Sequence, residues 1–236
     1  MLRGDDVGTL AKVSVLPWDL LEFERALLAR GEIVVGVDEV GRGALAGPMT
    51  VGAVVLCGVD APPLGLNDSK LLTPARRASL VEPLRQWAAD WSLGSVSALE
   101  IDAWGLRLAL AVAATRAIEG LRTTPTHALI DGSFNLLRSP LNVAFGVVAP
   151  PPLRYASLPA TTIVKGDQRS ASIAAAAVLA KVHRDAVMVA LNDECEGYDW
   201  ASNKGYGAPD HLDALRRLGP SAYHRQTWRL PAMTPR

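Results

Sequence analysis

The residues best suited to chemistry here are acids set beside glycines. Asp38 and Glu39 stand together at the end of the apolar run EIVVGVD (Glu32 to Asp38), and Asp131 closes a second run, THALIDG (Thr126 to Gly132). In both cases a glycine follows within two residues. Ligand and metal sites favour the carboxyl ends of strands in open sheets. Successive strand residues point to opposite faces, so Asp38 and Glu39 are expected to share a site only if the strand ends or bulges there. Gly41-Arg42-Gly43 supplies backbone freedom for that. Taken singly, each Asp reads more readily as the opening of a turn, and two such strand ends together weaken that reading. A fourth acid, Asp185, continues the helical stripe Ile173, Ala177, Lys181 that begins in an apolar stretch. Its plain alternative is an ion pair with Lys181, one turn back.

Converging carboxylates bind Mg²⁺ or Mn²⁺, since hard cations take oxygen ligands and keep positions open for water and substrate phosphate. Two such ions about 4 Å apart activate a water and stabilise a leaving oxygen in phosphodiester hydrolysis. Zinc is disfavoured: His127, His183, His211 and His224 are dispersed in the sequence, none at H-x-x-x-H spacing, and Cys57 and Cys195 form no C-x-x-C pair. No Walker A loop or dinucleotide-binding G-x-G-x-x-G stands at a strand-to-helix turn, which weakens nucleotide-driven alternatives.

The elements that must position these acids follow from periodicity. Leu16, Leu20, Phe23 and Leu27 mark one face of an amphipathic helix that Gly31 ends. EIVVGVD and TVGAVVLC (Thr50 to Cys57) read as two strands joined by a glycine-rich connection, close to a hairpin. Thr73-Pro74 opens a helix to about Asp90 that Pro83 is expected to kink. WSLGSVS (Trp91 to Ser97) is a third strand, and Ser97 with Glu100 forms a capping box for a helix to Leu121, broken near Gly105. THALIDG and TTIV (Thr161 to Val164) are further strands, followed by a long alanine-rich helix from about Ser170 to Glu194. GYDWASNKGYG is expected to be a loop, followed by a short helix from about Pro209 to Leu218 and an irregular tail. Strands paired locally, then alternating with helices, imply an α/β protein with a mixed sheet flanked by helices.

Composition sets the frame. The 236 residues are 49% hydrophobic and 20% charged, with 24 Lys+Arg against 24 Asp+Glu, which excludes a disordered chain and argues mildly against a wholesale basic nucleic-acid binder. The most apolar run, Ala171 to Ala180, is too short to span a membrane, and the N-terminus lacks the h-region of a signal peptide. A reducing, cytoplasmic setting is expected. Neutrality hides a local surplus: from Ala201 onward, Lys204, Arg216, Arg217, Arg225, Arg229 and Arg236 outnumber Asp210 and Asp213. Such a surplus could face a phosphate backbone.

Six blocks in order, GVDEVGRGALAGP (Gly36 to Pro48), LNDSK (Leu66 to Lys70), ALIDG (Ala128 to Gly132), IVKGD (Ile163 to Asp167), SIAAAAVLAKVHRD (Ser172 to Asp185) and NKGYG (Asn203 to Gly207), resemble the bacterial type 2 ribonuclease H family, ribonuclease HII. The resemblance runs from about Gly31 to Trp228. It implies an RNase H-like mixed sheet with a short helical C-terminal extension, divided as an N-terminal segment 1–30, a catalytic domain 31–195 and a substrate-contacting extension 196–236 in one compact unit. It also implies an endonuclease that uses Mg²⁺ or Mn²⁺, two ions during catalysis, to cut RNA in RNA–DNA hybrids and single ribonucleotides embedded in duplex DNA. The family's acidic centre is carried over to Asp38, Glu39, Asp131 and Asp185. Gly41-Arg42-Gly43 is expected to read the ribose 2′-OH, Tyr206 to stack on the neighbouring deoxyribose, and Lys70, Lys165, Lys181 and Lys204 to contact phosphate or organise the site. Type 3 relatives share the acids but usually carry an added N-terminal domain and lack the glycine-arginine-glycine loop. The alternatives are a phosphatase of small esters and a non-catalytic hybrid binder. No clamp-binding peptide stands at the C-terminus, and nothing requires more than a monomer.

Overall fold

The computed structural model describes residues 19–138 and 149–231. Five strands, β1 (Val34–Val40), β2 (Met49–Leu56), β3 (Asp90–Val96), β4 (His127–Asp131) and β5 (Ala160–Ile163), form one sheet in the order β3-β2-β1-β4-β5. β1–β2 and β2–β3 pair antiparallel, whereas β1–β4 and β4–β5 pair parallel. This is the expected mixed sheet. The helices are α1 (Glu22–Leu28), α2 (Pro74–Trp87), α3 (Ala98–Glu119), α4 (Ala171–Glu194), α5 (Trp200–Asn203) and α6 (Pro209–Leu218). Leu16, the first residue of the expected α1 stripe, lies outside the described residues.

Strand alternation divides the core. Val35, Val37, Val51, Ala53 and Val55 pack with α3 residues such as Ile101, Leu108 and Val112 on one face. On the other, Val34 packs with Ile173 of α4, and Val54 joins Ala174, Ala175 and Val178. Small residues let α4 lie flat on the sheet: a Cβ at Gly36 would come 2.3 Å from the Ser172 carbonyl carbon, and one at Gly52 would come 2.4 Å from the Ala176 oxygen. The alanine-rich run of α4 and the strand glycines are two halves of one close contact.

The expected capping box of α3 is present, and Gly105, at φ 74° and ψ 159°, interrupts that helix as foreseen. α2 runs through Pro83 to Trp87 without a break in its span. Two differences matter. β1 continues through Asp38 and Glu39 to Val40 in regular register with β2, so the acids lie within the strand and no bulge intervenes. The segment expected to be a loop contains α5, flanked by left-handed Asp199 and Lys204 and held down by fully buried Trp200. α5, α6 and the tail pack on Met188 of α4, and His224 forms a bridge with Ala46. No described helix is long and apolar enough to cross a membrane.

Candidate active site

The site opens where two neighbouring strands part. β1 pairs with β4 only as far as Val37↔Ile130, so beyond Val37 its β4 side is free while its β2 side stays paired to Val40. This parting resolves the facing problem: Asp38 and Glu39 alternate within a regular strand, yet both reach the gap at its open end. Asp131, the last residue of β4, stands across it. The resulting cleft, of about 380 Å³, is lined by Asp38, Glu39 and Asp131, by Val40 to Gly43, by Ser69 and Lys70, by Ala177 and Lys181 of α4, and by Tyr206.

A further acid crowds this group from behind. After β5, left-handed Lys165 turns the chain into a single 3₁₀ turn, Gly166–Gln168. The Gly166 N–H donates to Asp131 Oδ1 at 2.7 Å, and buried Asp167 pairs with Lys70, Oδ2 to Nζ at 3.2 Å. Burial raises the Asp38 carboxyl well above its usual range, and the charges of Glu39, Asp131 and Asp167 add to it. Glu39 is raised by burial as well, against the pull of Arg42, whose Nη1 lies 3.4 Å from Glu39 Oε1. Asp167 is pushed up to about 6 by burial, with Lys70 opposing and Asp68 and Asp131 reinforcing. Burial works against the Lys70 ammonium too, but Asp167, Asp68 and Asp38 raise its pKa on balance.

Asp185 stands apart from this cluster. It takes Lys181 Nζ at 2.8 Å and lies 3.9 Å from Arg77 Nη2, and it is absent from the cleft wall. Arg77 in turn donates to the Ser69 and Leu72 carbonyls. The charge that completes the acidic group is therefore that of Asp167, while Asp185 anchors Lys181, whose Nζ lies 5.5 Å from the Tyr206 ring centroid. Both the helix stripe and the family resemblance point to Asp185, whereas Asp167 lies on the turn before that helix. A signal for it was available: like Asp131, it stands close to the end of a strand with a glycine beside it.

The other expected substrate residues divide. Gly41, Arg42, Gly43, Lys70, Lys181 and Tyr206 line the cleft; Lys165 and Lys204 do not. Lys204 is left-handed and its ammonium donates to the Ala201 carbonyl. Tyr206 Oη accepts the Gly41 N–H at 3.2 Å. The basic surplus of the C-terminus is partly internal: Arg225 is fully buried and Arg216 pairs with Asp213, while Arg236 lies outside the described residues. The histidines dispersed in sequence also meet in part, with His211 and His224 buried and their Nε2 atoms 3.0 Å apart.

Among the described residues no three His, Cys, Asp or Glu side chains close into a cage for an ion. The donors nonetheless fit a hard divalent cation, which binds through a few carboxylates and keeps water and substrate phosphate as its other ligands. Asp38, Glu39 and Asp167, each raised by burial and by the charge of Asp131, form with it an all-oxygen set whose repulsion such a cation would relieve.

Comparison with known proteins points the same way. A family model described as Ribonuclease HII matches residues 35–230. The chain is 44% identical over 218 residues to Ribonuclease HII of Streptomyces griseus, covering 90% of this chain and 85% of that one. To Ribonuclease HII of Jannaschia sp. it is 48% identical over 207 residues, covering 88% and 93%. Its fold is similar to that of the ribonuclease H2 of Pyrococcus horikoshii (TM-score 0.61, 27% identity, 84% of this chain and 94% of that one). It is also similar to the RNase HII of Archaeoglobus fulgidus, solved in complex with PCNA (TM-score 0.66, 25% identity, 86% and 98%).

Proposed function

Because the chain belongs to the ribonuclease HII family and is a type 2 ribonuclease H, we propose that its cleft hydrolyses the RNA strand of RNA–DNA hybrids and cuts on the 5′ side of single ribonucleotides in duplex DNA. The products are 3′-hydroxyl and 5′-phosphate ends, and the role is ribonucleotide removal in DNA repair and replication. The observation that carries this reading is the group of mutually repelling, buried carboxylates at the open end of β1, beside a glycine-rich loop and two lysines. Asp38, Glu39, Asp131 and Asp167 would hold Mg²⁺ or Mn²⁺. Bound there, two such ions supply an activated water and stabilise the 3′-oxygen as it leaves.

The chain's own groups do the rest. Lys70 and Lys181 face the cleft as cations able to meet phosphate oxygens, and Asp185 holds Lys181 in place. The Gly41-Arg42-Gly43 backbone meets the ribose 2′-OH, the feature that separates RNA from DNA at a single position. Tyr206, fixed to Gly41 through its hydroxyl, presents its ring to the adjoining sugar. The 2′-OH is recognised and is not the nucleophile.

The test is a DNA duplex carrying one ribonucleotide, incubated with Mg²⁺ or Mn²⁺. The expected result is a cut 5′ of the ribonucleotide with a 5′-phosphate product, no cleavage of the all-DNA duplex, and loss of activity in EDTA. Cleavage that survives EDTA, or a cyclic-phosphate product, overturns the mechanism. Hydrolysis of free monoesters with the duplex left intact would assign a phosphatase, and binding without turnover would assign a binding module.

A further inference from the structure

We propose that Arg225, on the C-terminal tail, is a positioning residue for ribose recognition: it grips the backbone of the Gly41-Arg42-Gly43 loop so that the N–H groups of Arg42 and Gly43 point into the cleft. The inference rests on the reading that this loop meets the ribose.

Arg225 lies outside every motif block and reads as one more surface cation, yet it is fully buried. Its Nη1 donates to the Arg42 carbonyl at 2.7 Å and its Nη2 to the Gly41 carbonyl. The guanidinium stacks on Trp228, 4.7 Å from the ring centroid, and the Arg225 N–H donates to the Leu45 carbonyl at 2.9 Å. The tail is pinned in turn: Asp102 of α3 accepts the Gln226 N–H at 2.7 Å and the Thr227 N–H at 3.1 Å.

Peptide geometry turns this grip into an aim. In a trans peptide the C=O and the following N–H point in opposite directions, and the described chain has no cis peptide. The Gly41 carbonyl shares its plane with the Arg42 N–H, and the Arg42 carbonyl shares its plane with the Gly43 N–H. With both carbonyls turned back onto Arg225, both N–H groups face the other way. Arg42 and Gly43 line the cleft, and neither N–H finds an acceptor within the described chain. The space beside Gly43 is open, with no atom within 4 Å of where a Cβ would stand.

Gly41 is fixed on its remaining sides. It adopts φ +83°, a Cβ there would come 2.1 Å from Arg184 Nε, and its N–H is taken by Tyr206. The loop is thus locked everywhere except at the two donors that face the substrate. Donors fixed before the substrate arrives lose no ordering entropy on binding.

The test uses affinity under non-cleaving conditions, with Ca²⁺ in place of Mg²⁺, for duplexes that differ only at one sugar. One carries a ribonucleotide; the other carries a 2′-fluoro nucleotide, whose fluorine is a poor hydrogen-bond acceptor. The wild type should prefer the ribonucleotide, and Arg225→Gln should shrink that preference by about 3- to 10-fold, the worth of one neutral hydrogen bond. Arg225→Lys, which keeps donors for one carbonyl, should fall between. A variant that weakens both duplexes equally and leaves the ratio unchanged overturns the proposal, since a merely structural role moves both alike. If Arg225→Gln shows no cooperative melting transition, the Lys variant decides by the same ratio. A wild type with no preference for the ribonucleotide would instead sink the underlying reading of the loop.

Discussion

The acidic cleft and the C-terminal layer both bury ionisable groups, and they handle the cost of burial in opposite ways. In the cleft, Asp38, Glu39 and Asp167 keep close company with like charges, and their carboxyls are raised by burial and by neighbouring carboxylates, Asp131 among them in each case. In the C-terminal layer, burial lowers Arg184, Arg225, His211 and His224, but nearly every polar atom has a partner. Arg184 donates to the carbonyls of Pro48 at 2.7 Å, Lys204 at 3.0 Å and Ala46 at 3.1 Å. The two histidines fit only one set of tautomers. His211 Nδ1 must donate to the Tyr206 carbonyl, so its Nε2 accepts from Trp200 and from His224 Nε2, while His224 Nδ1 accepts the Ser221 N–H. Satisfied burial makes architecture; crowded, like-charged burial leaves a capacity that a cation and phosphate can fill.

That contrast predicts that removing one cleft acid separates activity from stability. Asp38→Asn is expected to lower kcat by more than about 100-fold, beyond the usual loss for an outer-shell partner of a metal site. The same variant should melt at a higher temperature than wild type in EDTA near neutral pH, because it removes a buried, repelled charge. Asp167→Asn should behave likewise. Asp185→Asn, which leaves Lys181 without its anchor, should cost less than about 10-fold and should not raise the melting temperature. Single-turnover cleavage of the one-ribonucleotide duplex and calorimetry measure both quantities. An inactive Asp185→Asn beside an active Asp167→Asn would restore the helix-stripe choice and break the account of the cleft.

That choice shows what a linear sequence exposes. Asp38, Glu39 and Asp131 were legible because strand, acid and glycine are adjacent in the chain, and the sheet was legible because β-branched runs mark strands. Asp167 carries a similar strand-and-glycine signal, but placing it in the acidic group ahead of Asp185 required knowing that the 3₁₀ turn after β5 folds back onto Asp131, a contact between residues 35 positions apart. His211 and His224 share no helical or strand period, and only the packing of α6 against the tail joins them. Arg225 was counted with the surface cations because composition cannot tell a buried guanidinium from an exposed one. Local pattern reveals groups that a single element presents; groups assembled by tertiary contact stay hidden until the fold is known.

The opposite side of the comparison predicts a stability effect of intermediate size. Arg184→Gln strands the carbonyls of Pro48, Ala46 and Lys204 without their donor in a buried site. The expected loss is about 2–4 kcal/mol in denaturant unfolding, the cost of leaving buried acceptors unpaired. The loss should be unaffected by Mg²⁺, since no cleft acid is altered. Full stability in Arg184→Gln would show that the layer is held by its apolar contacts alone.

The smallest effect, and the most direct measure of the contrast, is its pH dependence. Asp38, Glu39 and Asp167 have folded pKa values raised above their unfolded ones. Their contribution to stability is therefore fully present below about pH 4 and lost as pH rises through the folded values, about 6 for Asp167. His224 runs the other way. Its pKa is lowered from 6.5 to about 4, chiefly by burial with His211 adding to it, so its contribution is present above about 6.5 and lost as pH falls toward 4. The two slopes oppose each other in one window and partly cancel in wild type. Mg²⁺ is expected to separate them, because it would bind the ionised cleft and leave the histidines alone. Added Mg²⁺ should raise the melting temperature by about 2–4 °C near pH 7.5 and by clearly less near pH 5, where protons occupy the cleft. In His224→Gln the acid arm of the metal-free profile should flatten while the Mg²⁺ increments stay as in wild type. Equal increments at the two pH values would mean that the cleft acids do not carry the linkage, and a His224→Gln profile as steep as wild type would remove the histidine pair from it.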